Sequence, residues 1–373
     1  MNKNDNYILG LDIGCSKIMA AICKIDFNND LDFCGIGSSI TAGMKKGKVK
    51  NFEEFFASVE KAIKRAAEYN GGIIPQRVIT NIPLAGVEFL NVSGKITKDT
   101  TTEITYRDRN ECLRQAKTKI NFKTKRVMHL IPIGYSVDGI PVDTLDSQVG
   151  RELEIDVLAV LGDVENISLV TQVLGKLDLK LKGIVYDALS QGEVLLSDQQ
   201  RQKGCYLFNF GGRFCEVSFL KNNVLQKSIV IPIGGGTITA DIAYCLNVSV
   251  PEAERLKIIY GDVDLANFPK EESIEIMLKD NTKKQIKRKL LCQIIEARVA
   301  ELIKLVFSKL DFGKDLAAKE LVVGGGSSKL NGVEDYLVRK MRLVVKREMV
   351  NDQKNTVDSL SCNFAVGAIL YAI

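Results

Sequence analysis

A group of residues suited to binding an anion follows the first apolar segment of the chain. The stretch Ile8–Lys17 reads ILGLDIGCSK, so that an apolar run leads to Asp12 and then to Gly14, Cys15, Ser16 and Lys17. An apolar run that ends at glycine predicts a buried strand followed by a tight turn. The backbone N–H groups of such a turn form a concave site for phosphate, and a carboxylate beside it suits hydrated Mg²⁺. We therefore predict that Asp12 holds a metal ion and takes part in any catalysis.

The same order of elements recurs about 195 residues later. The stretch 204–235 predicts a strand, a Gly-Gly turn and two further strands, with Asn209, Gly211, Gly212 and Arg213 in the turn. An internal repeat of this kind predicts two similar domains that face each other across a cleft. A nucleotide is the ligand expected there, because each half would contribute one phosphate-binding turn.

Further segments supply partners for a nucleoside. Two glycine triplets, each after an apolar strand, are Gly234, Gly235 and Gly236, before a helix predicted to start near Thr237, and Gly324, Gly325 and Gly326, followed by Ser327. Glycine there lets a phosphate or a ring approach the backbone closely. A helix opened by Ser249 and Pro251 carries Glu254 and Lys257 on one face, which predicts either contacts to ribose and adenine or a solvated ion pair.

Composition narrows the class of protein. A chain of 373 residues is long for one core, and its 46% hydrophobic and 26% charged residues are typical of globular proteins. The net charge of +5 is spread along the chain and does not predict nucleic-acid binding. The nine cysteines form no C-x-x-C pair, which favours free thiols over a zinc site or disulfides. With no secretory pattern and no membrane-spanning run, we expect a soluble, cytoplasmic protein.

The predicted elements indicate an α/β fold with an insertion. A β-hairpin, a third strand, a helix over 51–69 and a strand over 77–82 come first. A β-rich segment of some 80 residues then interrupts this domain. In the second half, residues 283–289 are predicted to open a long basic helix. His129, the one histidine, adjoins an apolar strand and is interpreted as structural.

These motifs resemble those of a known superfamily. The segments LDIGCSK, GCYLFNFGG, IPIGGGTITADIA, PEAERLKIIYG and LVVGGGSSKLNG occur in the order found in the actin/Hsp70/sugar-kinase ATPases. Within this superfamily the chain resembles the FtsA family of actin-like bacterial cell-division proteins, on GMKKGKVKNFEEF, HLIPIGYSVDG, GRELEIDV and IIEAR. The resemblance covers essentially the whole chain. It implies duplicated actin-like (ribonuclease H-like) domains around an ATP and Mg²⁺ cleft.

The resemblance also implies a division into four parts and a set of partners. The parts are subdomain 1A (1–83 and 163–203), the inserted subdomain 1C (84–162), subdomain 2A (204–246 and 319–373) and subdomain 2B (247–318). Members of the family form filaments, bind the C-terminal tail of FtsZ, tether the FtsZ ring to the membrane and recruit later division proteins. By resemblance the FtsZ tail would bind subdomain 2B, where Arg288 and Arg298 match basic positions of the family.

Departures from the family pattern weaken the expected catalysis. The second phosphate turn of the family usually reads D-x-G-G-G-T-T-D, whereas this chain has Asn209, Arg213, Phe214, Cys215 and Glu216 at its altered positions. A neutral amide cannot supply charge to a Mg²⁺–water shell, and Arg213 either clashes with the phosphates or adds a cation to them. We predict nucleotide binding with weak or absent hydrolysis. Gln191 lies near the place where actin-like proteins put a water-orienting side chain.

Three further expectations come from the C-terminus and from related families. The segment 363–373 resembles the last core helix of FtsA, so membrane attachment is expected to need a missing tail or a partner. A cytoplasmic ATP-binding adaptor of pilus assembly, similar to PilM, is the main alternative. A small-molecule kinase of the sugar-kinase branch would need a catalytic aspartate beside a substrate cleft, and the sequence offers no candidate.

Overall fold

The fold is known from a computed structural model, which describes residues 6–26, 31–265, 272–310, 320–346 and 363–373. Cys362 lies outside these ranges. The eight cysteines within them are free thiols, as expected. Among the described residues, no helix is both long and apolar enough to cross a lipid bilayer.

The first 80 residues form most of one sheet and the helix that covers it. In chain order the elements are β1 (Tyr7–Ile13), β2 (Lys17–Ile25), β3 (Leu31–Ile40), the short hairpin β4 (Met44–Lys45) and β5 (Lys48–Val49), α1 (Phe52–Glu68) and β6 (Arg77–Thr80). Helix α1 begins after Asn51, whose side chain accepts hydrogen bonds from the backbone of Glu53 and Glu54. Its apolar face packs on β3 so closely that a Cβ added at Gly37 would overlap the carbonyl oxygen of Ala62.

The β-rich insertion is a separate sheet with its own helix. Its elements are β7 (Glu88–Glu103), α2 (Tyr106–Thr118), β8 (Lys125–Val137), β9 (Ile140–Val142) and β10 (Val149–Asp163), and the sheet order is β7-β10-β8-β9. A capping box between Thr105 and Asp108 starts α2. Cys112 and Ala116 of α2 pack on Leu153, Ile155 and Val157 to make a third, small core.

The chain returns to the first sheet through α3 (Val164–Lys176) and β11 (Lys180–Ile184), and it leaves through α4 (Asp187–Leu195) and α5 (Asp198–Lys203). The first sheet has the order β11-β6-β1-β2-β3. Strands β1, β2 and β3 pair antiparallel, whereas β6 and β11 run parallel to β1.

The second half repeats this arrangement. It contains β12 (Cys205–Phe210), β13 (Cys215–Lys221), β14 (Val224–Ile231), α6 (Gly235–Cys245), α7 (Val250–Tyr260), β15 (Ser273–Met277), β16 (Lys283–Lys287), α8 (Arg288–Lys309), β17 (Glu320–Gly324), α9 (Val333–Met341), β18 (Val344–Lys346) and α10 (Asn363–Ala372). Its main sheet has the order β14-β13-β12-β17-β18, again a three-stranded antiparallel unit followed by two parallel strands. The repeat predicted from the sequence is therefore present in the topology. The exact boundaries of the four subdomains stay a prediction.

Two predicted helix starts in this half are wrong. Lys283–Lys287 is a strand that pairs with β15, and the long helix α8 begins only at Arg288. The reason is that Ile286 packs with the second core as part of a hairpin, a partnership with residues 273–277 that the lysine-rich sequence does not signal. Helix α6 begins at Gly235 rather than near Thr237, because the N–H groups of Gly235 and Gly236 bond to the second phosphate turn.

Candidate functional site

The first predicted phosphate turn joins β1 to β2. The backbone N–H of Gly14 donates to the carbonyl of Lys17 at 3.1 Å, which closes the turn. The residue before this turn, Ile13, is fixed by Asn81, because its N–H donates to Oδ1 of Asn81 at 2.7 Å. Cys15, Ser16 and Lys17 stand on the rim of this turn, with Asp12 beside it.

The second turn joins β12 to β13 with the same geometry. The N–H of Gly211 donates to the carbonyl of Phe214 at 3.1 Å, which matches the bond from Gly14 to Lys17. A Cβ added at Gly212 would overlap Oγ of Ser16, so the two turns touch at this point. The internal repeat therefore brings its two phosphate turns face to face.

Both glycine triplets join these turns. The N–H groups of Gly235 and Gly236 donate to the carbonyls of Gly211 (3.0 Å) and Gly212 (2.6 Å), which ties the start of α6 to the second turn. Oγ of Ser327 donates to the same carbonyl of Gly211 at 3.1 Å. The triplet at 324–326 is thereby held next to the first one.

A single cavity lies at the meeting point of these segments. Its volume is about 760 Å³, which is large enough for a nucleotide. Of the predicted nucleotide-site residues, those that line it are Asp12, Gly14, Cys15, Ser16, Lys17, Asn209, Gly211, Gly212, Arg213, Gly235, Gly236, Glu254, Lys257, Gly325, Gly326 and Ser327. Gly234 and Gly324 stand just outside the lining, in the backbone next to it.

Gln191 does not line the cavity. It is fully buried on α4 and lies against Gly324, and neither its Oε1 nor its Nε2 has a hydrogen-bond partner among the described residues. Asp187 lies one helical turn earlier on α4 and lines the cavity instead. On α4 it is therefore Asp187, and not the predicted Gln191, that places a polar side chain at the cavity.

Asp12 and Asp187 share one hydrogen-bond donor. Nδ2 of Asn81 donates to Oδ1 of Asp12 at 3.0 Å and to Oδ1 of Asp187 at 2.8 Å. Burial raises the pKa of Asp12 to about 7, although the bond from Asn81 and the charge of Lys17 oppose the rise. Burial, together with the charges of Glu216 and Asp12, raises the pKa of Asp187 well above its usual value.

A second buried network joins this pair to the other sheet. Tyr186, the residue before Asp187, bonds through its hydroxyl to Oγ of Ser228 at 2.6 Å, and Ser228 bonds to Ser218 at 2.7 Å. Ser218 donates to Glu216, which also accepts from Nδ2 of Asn209 at 3.5 Å. Burial raises the pKa of Glu216 to about 7, and its hydrogen bonds oppose the rise.

The backbone of Tyr186 is hydrogen-bonded to the inserted sheet. Its N–H donates to Nε2 of His129 on β8 at 3.1 Å, and its ring meets that of Phe89 on β7 edge to face. The imidazole of His129 also packs edge-on against Tyr371 of α10. Burial lowers the pKa of His129 to about 4, so the ring is neutral and accepts this bond at physiological pH.

Glu254 and Lys257 form an ion pair that is fixed to α6. Nζ of Lys257 lies 2.7 Å from Oε2 of Glu254 and also donates to Oγ1 of Thr239 and to the carbonyl of Gly235. The side chain of Lys257 is only 12% exposed. The side chain of Glu254 is 45% exposed, so the pair lines the cavity with its lysine buried and its glutamate open to solvent.

Arg213 projects into the cavity without a partner. Its Nε is buried and has no hydrogen-bond partner among the described residues. Its charge acts on Cys15 of the opposite turn, where it opposes the rise in pKa to about 12 that burial and the two aspartates cause. Arg213 directly follows Gly212, the residue at which the two turns touch.

Arg288 and Arg298, predicted to bind a partner, do not line the cavity. Nη1 of Arg288 lies 2.7 Å from Glu272, and its Nε donates to the carbonyl of Tyr260. Arg298 forms two bonds to Asp241 at 2.5 and 2.9 Å and a further one to Glu301. Both guanidinium groups are already engaged within subdomain 2B and its border.

Several lining residues escaped the sequence analysis. They include Asp187 and the side chains Ile258, Lys329, Leu330 and Phe364. Asn81, which does not line the cavity but orients both acids, was also missed. One signal could have found it: a polar Thr80-Asn81 pair directly ends an apolar strand that runs parallel to β1.

The carboxyl pair is suited to hold a hydrated divalent ion. No group of three or more His, Cys, Asp or Glu side chains that could ligate a metal directly occurs in the described part of the chain. Mg²⁺ keeps most of its water, however, and commonly needs only one or two carboxylates. Asp12 and Asp187 both accept hydrogen bonds from the amide of Asn81, which places the two carboxyl groups next to each other at the cavity.

Comparison with solved structures defines the class of the fold. The chain aligns with the PilM–PilN type IV pilus biogenesis complex at a TM-score of 0.69 and 16% identity, over 98% of both chains. It aligns with ADP-bound MreB5 of Spiroplasma citri at a TM-score of 0.59 and 11% identity, over 99% of this chain and 96% of that one. The protein therefore has the actin-like ATPase fold, with mixed α/β sheets in two domains, as predicted.

Sequence comparison is more specific. A family model described as "Cell division protein FtsA" matches residues 207–367. FtsA of Neisseria meningitidis is 25% identical over 351 residues, 93% of this chain and 84% of that protein. FtsA of Pseudomonas aeruginosa is 26% identical over 380 aligned positions, 100% of this chain and 90% of that protein. The chain is thus a relative of FtsA, and the resemblance found in its motifs is confirmed.

Proposed function

We propose that this chain is an actin-like cell-division protein that binds ATP with Mg²⁺ between its two halves. The observation that carries the proposal is the convergence of four glycine-bearing segments, from two sheets of equal topology, on one cavity of about 760 Å³. The N–H groups of the two touching turns and Lys17 would bind the phosphates. Glu254 and Lys257, with Ile258 and Leu330, would bind the ribose and the base.

The acids of the cavity support the metal site. Asp12 and Asp187 would hold the water shell of Mg²⁺, and Asn81 orients both carboxyl groups toward one point. The bound ion would neutralise part of the phosphate charge. Asn209 would face the phosphates without adding charge.

Weak hydrolysis follows from the same groups. Asn209 stands in the second turn where an acid would add charge to a Mg²⁺–water shell, and a neutral amide cannot do so. Gln191 is held behind Gly324 and does not reach the cavity. We therefore expect ATP to bind much faster than it is hydrolysed. Steady-state phosphate release well above background, abolished by Asp12→Ala, would contradict this part of the proposal.

The direct test of the site is calorimetric binding of ATP and ADP with Mg²⁺. Lys257→Met removes a cation from the wall and is expected to lower affinity about 10-fold or more, the usual effect of losing a charged hydrogen bond. Lys304→Met is the matched control, because Lys304 is exposed on α8 and away from the lining. Binding that is unchanged in both variants would argue against this pocket.

We also propose that subdomain 2B binds the acidic C-terminal tail of FtsZ, so that the chain acts at the division site on the inner face of the membrane. The supporting surface is the strand β16, where Lys283, Lys284 and Lys287 are exposed next to Arg288. A basic surface attracts an acidic peptide in a salt-dependent manner. Self-association into filaments and recruitment of later division proteins complete the proposed role.

Peptide binding separates this role from the pilus-adaptor alternative, which the alignment with PilM–PilN keeps open. The full chain is offered an FtsZ C-terminal peptide and, separately, the N-terminal peptide of a pilus platform protein. Arg288→Glu is expected to weaken only the FtsZ peptide, and Arg107→Glu on the insertion helix is the matched control. Binding of the FtsZ peptide that survives Arg288→Glu would remove Arg288 from the site, and selective binding of the pilus peptide would favour the alternative.

A further inference from the structure

The guanidinium of Arg213 is an unpaired cation inside the candidate nucleotide cavity. No hydrogen bond or ion pair joins it to any described residue, and its Nε is buried. A partly buried charge without a partner is unfavourable, so such groups usually have a ligand or an ion as their partner. Three acids share the lining of the cavity with Arg213, and none of them forms an ion pair with it.

The position of Arg213 identifies the kind of partner. It follows Gly211 and Gly212 directly in the second turn, and its charge reaches Cys15 in the first turn. It therefore stands where two phosphate-binding turns meet. A guanidinium binds phosphate through two parallel hydrogen bonds, which makes a phosphate group the best chemical match.

Basic side chains outnumber acidic ones in the lining of the cavity. Four basic side chains line it, namely Lys17, Arg213, Lys257 and Lys329, against three acids, Asp12, Asp187 and Glu254. One of these bases, Lys257, is paired with Glu254. Asn209 takes the place of an aspartate in the second turn. Because its amide is neutral, it repels phosphate less than an aspartate would.

We propose that Arg213 supplies the positive charge on the phosphates that a divalent ion would otherwise provide, so that the cavity binds nucleoside di- and triphosphates with little dependence on Mg²⁺. The inference rests on the nucleotide site proposed above. It adds that Mg²⁺ can occupy the Asp12–Asp187 side without being required for affinity. Arg213 acts here as a binding residue and takes no part in bond cleavage.

The test compares nucleotide affinity with Mg²⁺ and with EDTA, using a fluorescent ADP analogue and the full chain. Wild type is expected to lose less than about 10-fold in affinity when Mg²⁺ is removed. Arg213→Met is expected to lose about 100-fold or more in nucleotide affinity when Mg²⁺ is removed. The reason is that charged hydrogen bonds each contribute about 1.5–3 kcal/mol. Arg107→Met, on the exposed face of α2, is expected to behave as wild type.

A second variant guards against misfolding. Arg213→Lys keeps the charge but loses the planar fork, and it is expected to give a dependence on Mg²⁺ between those of wild type and Arg213→Met. Circular dichroism checks that each variant is folded. Strong dependence of the wild type on Mg²⁺, or an equal loss of affinity by Arg213→Met in both buffers, would overturn the inference. Absence of nucleotide binding in either buffer would instead overturn the proposed nucleotide site.

Discussion

The side-chain amide of Asn81 donates a hydrogen bond to the carboxyl of Asp187 across 106 positions of sequence, at 2.8 Å. The same amide group holds Asp12 and the backbone of Ile13. Asn81 is only 3% exposed, and three separate segments thus depend on one buried side chain. The carboxyl groups of Asp12 and Asp187 are thus positioned by a residue that does not itself line the cavity.

Replacement of Asn81 should affect both stability and binding. Asn81→Ala leaves the Ile13 N–H and two carboxyl groups without their partner, and an unsatisfied buried group typically costs about 1–3 kcal/mol. We expect a lower free energy of unfolding in urea and weaker binding of Mg²⁺–ATP. Asn91→Ala, at an exposed position of β7, is the control. An Asn81→Ala protein as stable as the control would contradict the positioning role.

Glu216 should make the protein less stable as the pH rises toward neutrality. Its pKa is raised from 4.5 to about 7 in the folded state, so the folded state keeps a proton that the unfolded state has lost. The free energy of unfolding therefore falls between about pH 4.5 and pH 7, with at most about 1.4 kcal/mol per pH unit from one group. Glu216→Gln should flatten this fall in urea titrations, whereas the exposed Glu68→Gln should not. Asp12 and Asp187 act with the same sign and keep part of the slope.

His129 should have the opposite effect over much of the same pH range and should offset part of the fall. Its pKa is lowered from 6.5 to about 4, so the unfolded state binds the proton first and stability rises as the pH increases from about 4 to 6.5. Because the chain has one histidine, its imidazole signal in a proton NMR titration is unambiguous. We expect this signal to show a neutral ring down to about pH 4. A midpoint near 6.5 would mean that the ring is solvated and does not accept the bond from Tyr186.

Two glycines offer a matched pair for the packing of the first sheet. Gly37→Ala places a methyl group against the carbonyl of Ala62 on α1, and overpacking of this kind typically costs about 1–3 kcal/mol. Gly183→Ala on β11 meets no heavy atom within 4 Å, so it should be nearly neutral. Thermal unfolding of both variants measures the difference. Equal melting temperatures would show that α1 can move away from β3.

Local patterns in the sequence predicted most of the parts of the site but not their supports. The two turns and both glycine triplets could be recognised because each depends on a few consecutive residues. The partnership of Asn81 with Asp187 could not, since it forms only when β6 and α4 meet beside β1. Gln191 illustrates the same limit: sequence places it on the correct helix, but only packing decides which turn of that helix faces the cavity.

The hairpin of subdomain 2B was missed for a related reason. Strand β16 reads KKQIK, which offers one apolar side chain, Ile286, and several lysines suited to a helix. Its strand conformation depends on pairing with β15 across an intervening segment. By contrast, the helix predicted over 51–69 begins where expected, because its cap at Asn51 is a local interaction.

Tyr186 has one consequence for how the molecule moves. Its backbone is bonded to the insertion through His129, its hydroxyl to the second sheet through Ser228, and its neighbour Asp187 to Asn81 at the end of β6 in the first sheet. Tyr186 and its neighbour thus connect the insertion, the second sheet and the first sheet. If the two halves rotate apart to let a ligand in or out, the insertion must either move with the first half or lose its contact with Tyr186. Ligand exchange and the orientation of the insertion are therefore coupled through this residue.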